Sequence, residues 1–479
     1  MAAQAVPYLI DANRRNGKLL VLNNDRFERN KTDHQHNRIY WRCCITTCRT
    51  SVITNVVDVN ANPPQAIMIL RGMPVHTHPP QDEAITRQYF INSVLTEIMR
   101  DPSQPIKRAY DNVVAAWPNQ DIPPFNALRS QLHRCRAAQC PPIPRRVADV
   151  QIAGTWAESW NGTQRLQRLN NRRGIALFAS HRELAALQQC ETLFFDGTFR
   201  STPAPYAQIV TIHGFYEDRV IPLGMALLSD KTRASYEYML QSLKIVVRRQ
   251  TGQRLTPMKV ITDFEVALTQ AVAAEFPTSR HQGCYFHFCK ALWAHIQALG
   301  LQQAYHNDRA LKRCVRKVLS LGYLPLNLVQ QSFANHRQSI STQRLIRRYP
   351  PLQQFLLYVN TTYIVSNVFP PRMWNVFGRT MTTRTNNHVE SFHARWNMLI
   401  GRRHPSIWTC IRKMKDEGRR SELSIRAAER GDDPPRRRRK WRRLEARIRR
   451  LKGDYRQGRR NIDEYWRAVS YLTGPGTYM

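Results

Sequence analysis

The chain has 479 residues, enough for two or three domains and a sizeable core. Its 72 Lys and Arg against 35 Asp and Glu give a formal net charge of +37, a self-repulsion that calls for a polyanionic partner, nucleic acid before a membrane surface. No apolar run reaches the length of a membrane span, the N-terminal "MAAQAVPYLIDANRR" lacks the pattern of a secretory signal, and ten cysteines in so long a chain do not make a disulfide scaffold; a reducing compartment, with some cysteines on metal, is expected.

Residues 18–80 are rich in β-formers and turn residues and hold Cys43, Cys44, Cys48, His76 and His78, and "HPPQDE" marks a boundary. Residues 83–140 read as helices. Ile91, Val94, Leu95 and Ile98 recur at helical spacing, and in a third helix Leu128, Leu132 and Cys135 share a face turned away from Arg129, His133, Arg134 and Arg136. Three short helices ending on a basic one suit a helix-turn-helix module, with Arg129 and Arg134 as DNA contacts. A helical spacer with solvated arginines has the same pattern. "CPPIPRR" makes the next break.

From "TLFFD" onward the elements alternate. "YAQIVTIHG" and "RVIPLGMALL" predict a hairpin. A helix over "KTRASYEYMLQSLKIVVRR", a strand over "MKVITD", a helix over "FEVALTQAVAAEF", a strand over "RHQGCYF" and a helix over "HFCKALWAHIQALG" follow. The expected class is α/β, a mixed sheet covered by helices. Residues 300–380 read as helix and loop, and "TRTNNHVESFHARWNMLI" opens a further helix carrying Glu390. The segment 401–479 reads as a basic helical tail. Within it Trp441, Leu444, Ile448, Leu451 and Tyr455 form one stripe, and Arg436, Arg437, Arg438, Arg439 and Lys440 are expected to contact DNA and to suit nuclear import.

Asp196 and Asp263 each end a strand and precede a turn or helix. A lone acid there usually starts a turn or caps a helix. Two acids on neighbouring strands would repel unless a cation lay between them, and Mg²⁺ or Mn²⁺ suits such a pair. With Glu390 as third carboxylate the set would hold two ions for in-line displacement at phosphorus. The words "FFDGTF", "ITDFEVAL", "CYFHFCKALW" and "TNNHVESFH" together resemble Mutator-like (MULE) transposases over about residues 185–400. That resemblance implies a ribonuclease H-like fold with a helical insertion at about 300–380, and a catalytic Asp-Asp-Glu triad at Asp196, Asp263 and Glu390. It also implies a Cys-x-x-His pair at Cys284 and His287.

"YWRCCITTC" followed by "HTHPP" offers two cysteines and two histidines, the four ligands of a closed zinc site: Cys43, Cys48, His76 and His78. Buried cysteines with two loop histidines would share this pattern. "FERNKT", "IYWRC" and "HTHPP" resemble the FLYWCH zinc finger, which implies structural Zn²⁺ and DNA binding. The expectation is a nuclear, homodimeric or larger transposase that cuts element ends and joins their 3′-hydroxyls to target DNA, with no membrane partner. The competing expectation is a host-recruited DNA-binding regulator that no longer cuts.

Overall fold

In the strand Arg38–Cys43 the buried residues Ile39, Trp41 and Cys43 alternate with exposed Arg38 and Arg42, the period-two pattern that puts one face of a strand against a core. The structure is a computed structural model. It describes residues 7–11, 17–56, 66–71, 75–102, 104–118, 122–379, 387–401, 404–434 and 439–473, without the side chains of residues 387, 388 and 390. The chain divides into two compact units, Met1–Pro142 and Ile143–Met479.

The first unit begins with an antiparallel meander, β1 (Tyr8–Asp11), β2 (Lys18–Leu22), β3 (Asp25–Asp33), β4 (Arg38–Cys43), β5 (Ser51–Asn55) and β6 (Ile69–Arg71), paired in chain order. The sheet thus starts ten residues before the expected boundary at 18. Leu20, Phe27, Trp41 and Val52 fill its core, and the Trp41 Nε1–H donates to Thr54 Oγ1 at 2.8 Å, so the buried indole keeps its hydrogen bond. Three helices follow: α1 (Asp82–Arg100), α2 (Ile106–Ala116) and α3 (Phe125–Ala138). Phe90, Val94 and Ile98 of α1 close on Tyr110, Leu128 and Leu132 of the other two.

The second unit is built on a seven-stranded sheet of β7 (Leu166–Asn170), β8 (Ile175–Phe178), β9 (Thr192–Thr198), β10 (Gln208–Tyr216), β11 (Arg219–Leu228), β12 (Lys259–Thr262) and β13 (Arg280–Gly283). Their order is β13-β12-β9-β10-β11-β8-β7, with β9, β12 and β13 parallel and the remaining pairs antiparallel. The sheet starts well before residue 185. The hairpin β7–β8 and the helix α4 (His181–Gln189) precede the strand taken as its beginning.

One face of the sheet packs on α4, α5 (Arg233–Thr251) and α6 (Val266–Glu275) through Leu193, Phe195, Val210, Ile212 and Val260. The opposite face carries Phe194 and Ile261. A helical block stands beside it, formed by α7 (Tyr285–Ala298), α8 (Gln302–Asn307), α9 (Arg309–Leu319), α10 (Val329–Gln338), α11 (Ile340–Arg348), α12 (Pro351–Val359) and α13 (Pro371–Trp374). Its core is aromatic: Phe288 stacks on Trp374 with ring centroids 4.6 Å apart. The strand expected over "RHQGCYF" stops at Gly283, because Cys284 already caps α7.

After α14 (Asn387–Ile400) come α15 (Ile407–Glu429), α16 (Arg439–Arg456) and α17 (Ile462–Leu472). These do not trail from the core as a tail. Ile425 of α15 joins the α4–α5 layer, while Ile448, Leu451, Tyr465 and Trp466 are buried in the helical block. No helix among the described residues is long and apolar enough to cross a membrane.

Candidate acid centre and zinc site

The sequence "LFFD" makes β9 buried along nearly its whole length, so its acid is carried inward: Asp196 is 2% exposed. Parallel pairing sets Lys259 against Thr192 and Ile261 against Phe194. Two residues further in the same register lie Asp263 and Asp196. The structure thereby brings these two acids together at the C-terminal ends of adjacent parallel strands, where open α/β sheets place their sites.

Their electrostatics diverge. Burial works to raise the Asp196 carboxyl, but a hydrogen bond from His393 and the charges of His287, His393 and His213 outweigh it and hold the group below the usual carboxylate range. His393 Nε2 stands 3.3 Å from Asp196 Oδ2. Burial first, then the charge on Asp196, push Asp263 up to about 7. Its Oδ1 is buried with no hydrogen-bond partner. A buried carboxylate oxygen left unsatisfied beside a second carboxylate is costly for a protein alone. A hard cation taking oxygen ligands would remove that cost, so this donor set fits Mg²⁺ or Mn²⁺.

Helix α14 spans the acid-bearing face. Its Val389 packs with Phe194, Ile261 and Cys284, Phe392 lies edge-on to His213 at 5.0 Å, and Trp396 Nε1–H donates to Ser201 Oγ at 2.9 Å. Arg395 fixes the outer side by pairing with Glu417 of α15 at 2.5 Å. Glu390 sits on α14 three residues before His393, hence on the same side of the helix. Its carboxylate lies outside the described residues.

The Cys-x-x-His pair divides. Cys284 is fully buried among apolar side chains, and its N–H ties the start of α7 to the Thr262 carbonyl of β12 at 2.8 Å. His287, on the first turn of α7, acts on both acids. The sequence reading passed over His213, Glu265 and His393. Glu265, which accepts from Tyr236 Oη at 2.8 Å, adds negative charge near Asp263. The signal for His393 was its i+3 spacing from Glu390; His213 is one of three polar residues, with Gln208 and Thr211, in a largely apolar strand and carried none.

In the first unit one ligand atom each from Cys43, Cys48, His76 and His78 lies within 4.8 Å of the others. Cys43 Sγ is 3.2 Å from His78 Nε2, Cys48 Sγ is 3.5 Å from His76 Nδ1, and the two ring nitrogens are 3.0 Å apart. Tetrahedral zinc sets such atoms roughly 3.3–3.8 Å apart, so the donors fit the ion. Of the other ring nitrogens, His78 Nδ1 is 2.8 Å from the Pro79 carbonyl oxygen, and His76 Nε2 stands at ion-pair distance, 3.3 Å, from Asp25 Oδ2. The Thr50 hydroxyl and amide hold the Cys48 thiol down at about 5, close to thiolate chemistry. Cys44 stays outside the cluster, its thiol pushed up to about 11 by burial.

Arg129 and Arg134 are exposed on α3, and Arg439 and Lys440 are exposed at the start of α16; Arg436, Arg437 and Arg438 lie outside the described residues. No curated protein matches the chain. Residues 192–291, which include Asp196, Asp263, Cys284 and His287 but not Glu390, match the family model of the MULE transposase domain. Residues 10–78, which include all four candidate zinc ligands, match that of the FLYWCH zinc finger domain. The Cys₂His₂ cluster thus lies in a segment similar to a FLYWCH zinc finger, and the paired acids lie in a following segment similar to a MULE transposase domain, a combination that supports a transposase-related DNA-binding protein.

Proposed function

We propose that the protein is a DNA transposase that cleaves element ends and joins their 3′-hydroxyls to target DNA. The observation that carries this reading is the partnerless buried Oδ1 of Asp263 beside Asp196, inside the segment that matches the transposase domain. The sheet order β11-β10-β9-β12-β13, three antiparallel strands followed by two parallel ones, supports a ribonuclease H-like core. Asp196, Asp263 and Glu390 would hold two Mg²⁺ or Mn²⁺, which supply a lowered pKa at the attacking hydroxyl and charge neutralisation at the leaving oxygen.

The chain's own residues do the positioning. His393 fixes the Asp196 carboxylate, Phe264 roots the end of β12 in the helical block, and α14 shields the face from solvent. Zinc held by Cys43, Cys48, His76 and His78 orders the finger, which together with the exposed arginines of α3 reads the terminal repeats. The basic start of α16 suits both phosphate contact and nuclear import. Two ends must be brought together, so a homodimer or larger assembly is part of the proposal.

The test uses full-length protein, labelled element ends and Mg²⁺ or Mn²⁺. Asp263→Asn and Glu390→Gln should each abolish nicking and joining while leaving DNA affinity within roughly threefold, because phosphate contacts lie elsewhere. Cleavage that survives both substitutions overturns the triad. Wild-type binding without any cleavage identifies a regulator instead.

A further inference from the structure

A cavity of about 300 Å³ opens between the sheet edge and the helical block, lined by Lys259, Arg280, Gln282, Arg372, Asn375 and Arg379 with Leu326 and the Phe377–Gly378 turn. Four of these side chains are cationic and none is acidic. None of the four cations has an ion-pair partner among the described residues. Arg379 donates to the Gly283 carbonyl at 2.8 Å and to the Met373 carbonyl, yet its Nε–H is buried with no acceptor. Desolvation and the charge of Arg280 bring the Arg379 guanidinium down to about 9, and the neighbouring Cys284 offsets this only in part. Such an arrangement is costly for the protein by itself and is relieved by an anion.

Its position says which anion. Lys259 pairs with Thr192 and Arg280, and Ile261 pairs with Phe194 and Gln282. Strand residues two apart share a face, so Lys259, Arg280 and Gln282 lie on the face that bears Asp196 and Asp263. Asp263, just past the end of β12, lies four residue steps from Lys259, about 13 Å at roughly 3.3 Å per residue. A DNA strand offers a phosphate every roughly 3.4 Å of helix axis, so a strand held at the acids reaches the cavity within a few nucleotides.

We propose that this cavity is a subsite for a backbone phosphodiester of the DNA strand held at the acid centre, with Arg280, Arg372 and Lys259 neutralising the phosphate and Arg379 donating to it. The subsite rests on the transposase reading, but its test is a binding measurement that does not depend on cleavage.

The experiment is fluorescence anisotropy on the full chain in an Asp263→Asn background, with a labelled random-sequence 20-base-pair duplex, titrated at several salt concentrations. Arg280 and Arg372 are exposed, so Arg280→Gln/Arg372→Gln leaves the core intact. That double variant should lower affinity about tenfold or more and reduce the slope of log affinity against log salt by roughly one to two. Arg309→Gln/Arg313→Gln removes the same charge from the exposed side of α9 and should change affinity by less than about threefold. Equal losses in the two variants would reduce the effect to net charge and overturn the subsite. A second arm titrates inorganic pyrophosphate. Loss of pyrophosphate binding with unchanged DNA affinity would make the cavity a site for a small free anion and also overturn the proposal. If the wild-type protein binds as described but never cuts, the subsite stands and the catalytic reading falls.

Discussion

His336 shows how one residue can set the acid sensitivity of the helical block. Its Nε2 lies 3.4 Å from Cys314 Sγ and 3.3 Å from the Cys314 carbonyl oxygen, and its ring meets Trp466 at 5.5 Å. Burial first, and then the charge of Lys317, bring the imidazole down to about 4, against about 6.5 for a free histidine. Below the free value the unfolded chain takes up a proton that the folded chain refuses. Stability is therefore lost as pH falls from about 6.5 towards 4. Urea midpoints at pH 7 and pH 5 should separate in the wild type and separate less in His336→Gln. An equal separation in both would remove His336 from the account. His281, brought to about 4 by burial and by Arg379, contributes with the same sign. Nothing in the sequence marked either histidine, because a shift of this kind needs the surroundings that only folding provides. The acids were legible for the opposite reason: "FFD" and "VITD" both put a carboxylate at the end of an apolar run, where its position follows from strand periodicity alone.

At the scale of elements, the end of β12 is held by the residue after its acid. Phe264 meets Phe369 at 5.3 Å, Tyr363 at 5.6 Å and Phe288 at 6.3 Å, and it occupies the space beside Gly283. A Cβ on Gly283 would come within 2.4 Å of Phe264 Cζ. Gly283→Ala should therefore cost about 1–3 kcal/mol by overpacking and reduce any cleavage along with stability. Gly453→Ala on α16, where a Cβ meets nothing within 4 Å, should be neutral or stabilising by up to about 1 kcal/mol. Thermal unfolding of the two variants checks both. The strands β9 to β12 and the helices α5 and α6 were readable because each has a clean period and a turn signal. The hairpin β7–β8 was missed: its apolar positions are diluted by "NNRRG", although Gly174, with φ of 64°, marks the turn. "CYF" looked like strand because the first turn of α7 is apolar on nearly every side. The stripe read over α16 is the face that docks, through Ile448 and Leu451 with Leu444 and Tyr455 packed against them, whereas α17, which docks through Tyr465 and Trp466, was taken into the basic tail because of the arginines that precede it. Trp466 Nε1–H donates to Ser320 Oγ and to the Lys317 carbonyl, both at 3.0 Å, a link across nearly 150 residues that no local pattern shows.

The whole molecule is two units with different sources of stability. The first holds a small sheet with four candidate zinc donors and a separate three-helix core, and small β-rich folds draw much of their stability from such an ion. The second buries two large apolar cores and includes none of these donors. Chelation, or His78→Ala, should therefore unfold residues 10–78, and reduce any terminal-repeat recognition, while leaving the second unit folded. Limited trypsin digestion would show it: Arg145 and Arg146 are exposed just past the division between units, and after chelation a fragment of the second unit should persist while the first is degraded. Loss of both together would mean that the units do not unfold independently.

The tie between Trp396 and Ser201 joins positions 195 residues apart in the chain. Closing so large a loop is entropically expensive and slow compared with forming any single helix. During synthesis the two aspartates leave the ribosome long before the helix that will cover them, and a nascent chain ending near residue 380 holds both acids without α14. Covering of Asp196 and Asp263 by α14 is therefore a late event in the life of each molecule, withheld until translation has passed residue 400.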